Sequence, residues 1–226
     1  LLERNPTDAV GAPRRTTSEA RALTADQIPA LLVATRDSLL ELPTLIALGA
    51  GMRLGEVLGL RWDDVDLENG TAKVRQTLQI TMQFDTPKSH RSTRSLTLPA
   101  FLVDALKGHK KLQNERRLML GESWQDFDLI CDRGDGQPLR PDTISKQFRA
   151  AAKSGGLSIT FHGLRHTHAS LMLSAGADLK VTSARLGHSS ISITADLYTH
   201  VASEQDRKAA DALNAHVGRY IGLGKS

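Results

Sequence analysis

The stretch DDVDLENGTAKVRQTLQI (residues 63–80) alternates apolar and polar side chains on both sides of Asn69-Gly70. Alternation with a period of two marks strands that bury one face, and Asn-Gly suits a tight hairpin turn between them. A third strand is expected in RSLTLP (94–99), which leaves Lys88 in the connection between the second and third strands. Around this small sheet the chain reads as helix. TADQIPALLVATR opens with a capping box, Thr24 at the N-cap and Gln27 three residues on. SLLELPTLIALGA is a second helical stretch, broken at Gly51, and LGEVLGL a short third. From Ala100 onward helices are expected over about 100–119, 141–154, 161–175, 178–186 and 191–200, with Gly155, Gly176 and Gly187 as C-terminal stops. FDLICDRGDGQPL reads as a small strand and turn, its Arg-Gly-Asp tripeptide being part of the turn. Residues 1–20, with two prolines and little periodicity, read as an extended linker. The expected class is mainly α with a small antiparallel β-sheet (α+β).

The 226 residues are 40% hydrophobic, 24% charged and 4% aromatic, an ordinary globular composition with length enough for a self-supporting core. One cysteine, Cys131, excludes an internal disulfide and suits a reducing, cytoplasmic setting. The longest apolar stretches, such as LPTLIALGAG, fall short of the roughly 20 residues a membrane helix needs. No secretory leader pattern opens the chain. It starts at Leu1 and not at methionine, so a fragment of a longer protein is expected. Net charge is only +4, but the basic residues are clustered. TPKSHRSTR (86–94) carries Lys88, His90, Arg91 and Arg94 without an acid, and GHKKLQNERR adds a second cluster. Such patches permit contact with a polyanion.

The segment TFHGLRHTHASLMLSAG (160–176) is the richest in chemistry. Thr160 can cap a helix whose N-terminus favours anions, and His162 and Arg165, three apart, share a face there. A guanidinium can clamp two oxygens of a phosphate at once. The same letters allow a rival: His162 and His166 stand at i and i+4, the spacing of a zinc pair. Gly163 sits where a metalloprotease would carry glutamate, Arg165 would oppose a cation, and no third ligand is near in sequence, so no metal is expected. Arg53 follows a helix break, with Glu56 placed to pair with it or support it from behind. His188 lies just past a helix end, and Tyr198 is one of only two tyrosines. A phenol is a poor nucleophile unless a neighbour takes its proton or cations surround it.

In order, Arg53, Lys88, His162, Arg165, His188 and Tyr198 resemble the catalytic signature of the tyrosine recombinases, the phage integrase family. GMRLGEVLGLRWDDVD, TPKSHRSTRSLTLP, HGLRHTHAS, LGHSS and LYTH carry the likeness, which runs from about Ala22 to about Val201. Gly163 departs from it, since many members have an acid there. The resemblance implies the tyrosine-recombinase catalytic-domain fold over 21–203, after the linker at 1–20. It implies that Tyr198 attacks a DNA phosphate to form a 3′-phosphotyrosyl link, with no metal, nucleotide or other cofactor. Arg53 and Arg165 would hold the phosphate, His162 would accept the tyrosine proton, His188 would donate a hydrogen bond, and Lys88 would protonate the leaving oxygen. His90, Arg91 and Arg94 would line the DNA. Partners implied are double-stranded DNA at specific recombination sites and other recombinase subunits in a tetramer. The segment 204–226, in which Ala210, Leu213, Val217 and Tyr220 fall at helical spacing, would dock on a neighbouring subunit or pack on its own domain. A tyrosine-type relaxing topoisomerase and a DNA-binding regulator with idle catalytic residues are the alternatives. The short length and the LGHSS-to-LYTH spacing count against the first, and the intact six-residue set against the second.

Overall fold

The computed structural model describes residues 22–85 and 93–188. The expected helix over 191–200 and the segment 204–226 lie outside these residues, as do Lys88, His90, Arg91 and Tyr198.

The first helices are α1 (Ile28–Thr35), α2 (Glu41–Ala50) and α3 (Leu54–Leu58). Before α1, a short 3-10 turn at Ala25–Gln27 is held by the Gln27 side chain, which accepts from the Thr24 N–H at 3.1 Å. α2 ends because Gly51 turns left-handed, φ +67°. A Cβ on Gly51 would come within 2.6 Å of the His168 ring and 2.8 Å of Leu186, so the break is also where three elements crowd together.

The strands β1 (Val65–Asp66) and β2 (Thr71–Val74) pair antiparallel about the expected Asn69-Gly70 turn, with Val65 opposite Ala72. The third strand of this sheet, Arg94–Thr97, pairs antiparallel with β2 in the order first–second–third. Between them the structure adds a second hairpin, β3 (Thr77–Leu78) and β4 (Phe84–Asp85), which makes Arg94–Thr97 strand β5. The continuous strand expected through residue 80 is therefore corrected. The chain leaves the first sheet at Gln76, whose side-chain amide donates to Gly59 O at 2.7 Å, and β3 then packs on α3. Gly55 permits that approach, since a Cβ there would meet Leu78 O at 2.7 Å.

Four further helices follow: α4 (Ala100–Leu120), α5 (Pro141–Ser154), α6 (Phe161–Ser174) and α7 (Leu179–Leu186). Thr160 caps α6 by accepting from the Gly163 N–H, and Asp178 caps α7 by accepting from Lys180 N and Val181 N. The expected strand in 127–139 reduces to two isolated bridges, Arg61 with Leu129 and Asp132 with Pro138. The Arg-Gly-Asp tripeptide at 133–135 is a turn, with the Asp132 carboxylate accepting from Gly134 N.

The core joins Ile46, Leu58, Leu102, Ile144, Phe148 and Leu164, all at most 1% exposed. The Phe148 and Phe161 rings meet edge to face at 5.2 Å and lock α5 against the start of α6. α6 packs along α2, which brings the first turn of α6 beside the break at Gly51. No described helix is long and apolar enough to cross a membrane.

Candidate active site

Arg53 is the residue just before α3, in extended conformation (φ −71°, ψ 154°), so its side chain leaves the helix axis instead of lying on a smooth face. Glu56, one turn on, turns back to it: Oε2 accepts from the Arg53 N–H at 2.9 Å and Oε1 from Arg53 Nη1 at 3.0 Å. The Arg53 side chain is 44% exposed while that of Glu56 is only 8% exposed, so Glu56 supports the arginine from inside.

Arg165, on the first turn of α6, is buried at 2% exposure. One terminal nitrogen donates to Gly51 O at 2.7 Å and the other to Leu186 O. Among the described residues its Nε has no hydrogen-bond partner. Burial, then the Arg53 charge, with a smaller push from Arg94, presses its pKa down to about 9, so it stays protonated at neutral pH.

The end of α7 collects three guanidinium groups. Arg185 O accepts from Arg94 Nε at 2.8 Å, Leu186 O from Arg165, and Gly187 O from Arg53 at 3.4 Å. The last carbonyls of a helix lack intrahelical partners and sit at the negative end of its dipole, which suits them to hold cations without a carboxylate. Gly187, φ +65°, ends the helix and delivers His188 at once into the cluster.

The histidines here are held neutral. His162 lies within reach of Arg165 and Arg53, and burial followed by those charges lowers its pKa. His188 is pushed down to about 4 by burial and then by Arg165 and Arg53. His166 is likewise pushed to about 4, by burial and then by His162, whose ring it meets edge to face at 4.8 Å. Among the described residues no group of three or more His, Cys, Asp or Glu could hold a metal ion.

Of the expected site residues, Arg53, Glu56, His162, Arg165 and His188 come together. Arg94 does not line an outer surface. Its side chain is 7% exposed and its guanidinium forks onto Glu56, Nη1 to Oε1 at 3.1 Å and Nη2 to Oε2 at 2.7 Å. The expectation that Arg94 contacts DNA is corrected accordingly. The signal was present in the sequence: in R-S-L-T-L, Arg94 is in phase with Leu96 and Leu98, and all three are buried.

Sequence reading also passed over His168 and Arg185. His168 Nδ1 donates to Leu48 O at 2.7 Å, and Nε2 accepts from Arg185 Nε at 3.1 Å, an arrangement open only to neutral imidazole. Arg185 donates also to Gly49 O and Thr97 O, tying α7 to α2 and β5. Burial, with Arg185 and Arg165 nearby, pushes His168 down to about 4. His166, His168 and His188 thus have folded pKa values below the unfolded value near 6.5. Their neutral forms support folding fully above pH 6.5, and that support is lost as pH falls from 6.5 toward 4. The melting temperature should therefore be flat from pH 8 to 7 and fall below 6.5. For His168, 6% exposed, the loss is on the order of 2–3 kcal/mol. Thermal melts across this range check it, and His168→Gln should flatten part of the slope.

A groove of about 540 Å³ adjoins Arg53 and is lined also by Thr77, Ser145, Lys146, Arg149 and Asp142. A cavity of about 750 Å³ between α2, α4 and the 131–139 segment shares no residue with the arginine cluster.

A model of the phage integrase family matches residues 21–205. The chain is 31% identical over 213 residues to a XerC-like tyrosine recombinase of Caldanaerobacter subterraneus subsp. tengcongensis, covering 87% of this chain and 54% of that protein. It is 33% identical over 171 residues to the integrase of Staphylococcus phage L54a, covering 72% of this chain and 48% of that one. The chain thus spans about half the length of these curated relatives. Among solved structures, the XerA recombinase superposes with a TM-score of 0.65 at 24% identity, over 89% of this chain and 66% of that one. The Tn1549 transposon integrase in complex with transposon right end DNA gives 0.68 at 20% identity, over 92% and 71%. At those identities the two likenesses show a shared fold. The family match over most of the length, on a fold of this kind, establishes that the chain belongs to the phage integrase family.

Proposed function

We propose that the chain is the catalytic domain of a site-specific DNA recombinase that cuts and rejoins strands through a 3′-phosphotyrosyl intermediate. The observation that carries this reading is the pairing of half-exposed Arg53 with buried Arg165 beside two histidines that are neutral at physiological pH. Two preorganised cations suit the non-bridging oxygens of a phosphate and the charge that builds there in the transition state. A neutral His162 can accept a proton, and a neutral His188 can donate a hydrogen bond to a phosphate oxygen.

In the proposed step the Tyr198 oxygen attacks phosphorus while its proton passes to His162. The bond from phosphorus to the 5′ oxygen breaks, and that oxygen takes a proton from Lys88. The 3′ phosphate is left esterified to Tyr198, and a 5′ hydroxyl attacking in reverse reseals a strand. Each ester made replaces one broken, so the chemistry asks for neither metal nor nucleotide. The groove with Lys146 and Arg149 beside Arg53 would carry the DNA backbone toward the site. The relatives' names and the DNA bound in the transposon integrase support double-stranded DNA as substrate. Assembly as a tetramer on DNA, with 204–226 docking on a neighbouring subunit and Arg91 and His90 against the DNA, completes the proposal, as does action in the cytoplasm.

The test is covalent trapping. The chain is incubated at low salt with negatively supercoiled plasmid, quenched in detergent, and the adduct is mapped by peptide mass spectrometry. The expected result is an adduct at Tyr198 that survives chelator and vanishes in Tyr198→Phe. An adduct retained by that variant, or formed at another residue, overturns the assignment.

A further inference from the structure

The buried face of the site contains a charge balance that the catalytic proposal does not use. Glu56 carries two arginines on one carboxylate: Arg53 on the half-exposed side and Arg94 on the buried side. Of the two guanidinium groups only that of Arg94 meets both oxygens, at 3.1 and 2.7 Å, in the parallel fork that makes a guanidinium–carboxylate pair strong and directional. Its Nε is occupied by Arg185 O at 2.8 Å, so the plane of the guanidinium is fixed from both edges. Arg94 therefore reaches neither solvent nor any phosphate bound at Arg53.

The charges decide what that arrangement does. Two guanidinium groups and one carboxylate leave a net charge of one positive unit. With Arg94 absent, Glu56 would have Arg53 as its sole partner in the triad, and the pair would present no net charge to the site. Burial by itself would raise the pKa of Glu56, yet the hydrogen bonds and charge of Arg94, joined by Arg53, win and hold it low. The carboxylate is thus a permanent anion, and something buried has to cancel it.

We infer that Arg94 is a positioning residue for the catalytic arginine: it cancels and orients Glu56, so that Arg53 meets the phosphate as an uncompensated cation in a fixed direction. This rests on the recombinase reading for its chemistry, but the charge balance itself stands on the geometry. The same side chain also ties β5, which follows the segment holding Lys88, to the end of α7, which precedes His188. One buried arginine thereby sets the spacing of parts that the sequence keeps 38 and 91 residues apart.

The experiment compares Arg94→Met, Arg94→Lys and the double variant Arg94→Met with Glu56→Gln. Adduct formation on supercoiled plasmid is timed at saturating DNA, and each fold is checked by near-UV circular dichroism. A unit charge roughly 6–12 Å from the phosphate, at an effective dielectric constant near 20, corresponds to a rate change of about 10–100-fold. Arg94→Met should lose that much in rate with DNA affinity nearly unchanged, and Arg94→Lys should recover part of it. The double variant lacks Arg94 but has no uncancelled carboxylate, so it should cleave measurably faster than Arg94→Met, while staying below wild type because Glu56 also directs Arg53. It also has no unpaired buried charge and serves where Arg94→Met does not fold.

A double variant as inactive as Tyr198→Phe would assign Arg94 a direct role and overturn the inference. So would an Arg94→Met protein that cleaves at the wild-type rate. If the wild-type chain gives no adduct at all, the recombinase reading falls, and NMR titration of His188 decides the charge argument by itself. An uncancelled Glu56 in Arg94→Met should raise the His188 pKa, and an unmoved titration overturns the inference.

Discussion

Replacing Arg165 with lysine is expected to slow adduct formation by roughly 10²–10³-fold, the usual cost of losing a preorganised donor to a transition-state oxygen. Lysine keeps a charge in principle but cannot keep it here. The burial and neighbouring arginines that bring Arg165 down to about 9 would act equally on an amine that ordinarily titrates near 10.4. A large share of the lysine would then be neutral at physiological pH. Geometry fails as well, because the guanidinium spans Gly51 O and Leu186 O with two separate nitrogens while an ammonium offers one. The carbonyl left unpaired costs about 1–3 kcal/mol. That corresponds to a melting temperature lower by roughly 2–12 °C in a chain of this size. Single-turnover adduct formation and a thermal melt on the same sample separate the two losses. A lysine variant that cleaves at the wild-type rate would show that Arg165 is a structural strut.

Gly51→Ala is expected to damage both the stability of the fold and the arginine cluster. A left-handed φ of +67° costs a residue with a Cβ about 1–2 kcal/mol. The added carbon would sit 2.6 Å from the His168 ring and 2.8 Å from Leu186, and relief of such overpacking costs about 1–3 kcal/mol more. Together these approach the 5–15 kcal/mol that stabilises a typical domain. The displacement would also fall on working parts, since Gly51 O holds Arg165 and His168 holds Arg185. Chemical denaturation should show a stability loss of about 2–5 kcal/mol. Cleavage by the folded fraction should fall with it.

Most of the helical frame could be read from the sequence because its signals are local. Thr160 and Asp178 cap α6 and α7, and Gly51 and Gly187 end α2 and α7 in left-handed turns. The Asn69-Gly70 hairpin likewise announces itself in two residues. The β3–β4 hairpin does not, because what bends the chain at Gln76 is a hydrogen bond to Gly59 and packing on α3, both outside the window a pattern can see. The site divides in the same way. Arg53, His162, Arg165 and His188 were recognised by their spacing, whereas the support beneath them was not. Arg94 was assigned to the outside because it ends a basic run, although its phase with Leu96 places it inside. His168 and Arg185 acquire meaning only when α6 and α7 come together. Local pattern thus names the candidate groups of the site, and tertiary contact supplies the groups that hold them still.

The consecutive carbonyls of Arg185, Leu186 and Gly187 each hold one arginine, and a carbonyl belongs to every amino acid alike. Those three anchors are therefore indifferent to which side chains the chain carries there, provided the helix still ends in the same place. A conventional alanine scan would report on Arg185 through its side chain and miss the anchoring altogether. Evolution meets the same blind spot from the other side: drift at Leu186 can alter packing without ever deleting the acceptor. The vulnerable property is the shape of a helix end, and the changes that reach it are those acting on the backbone, such as a proline in the last turn of α7.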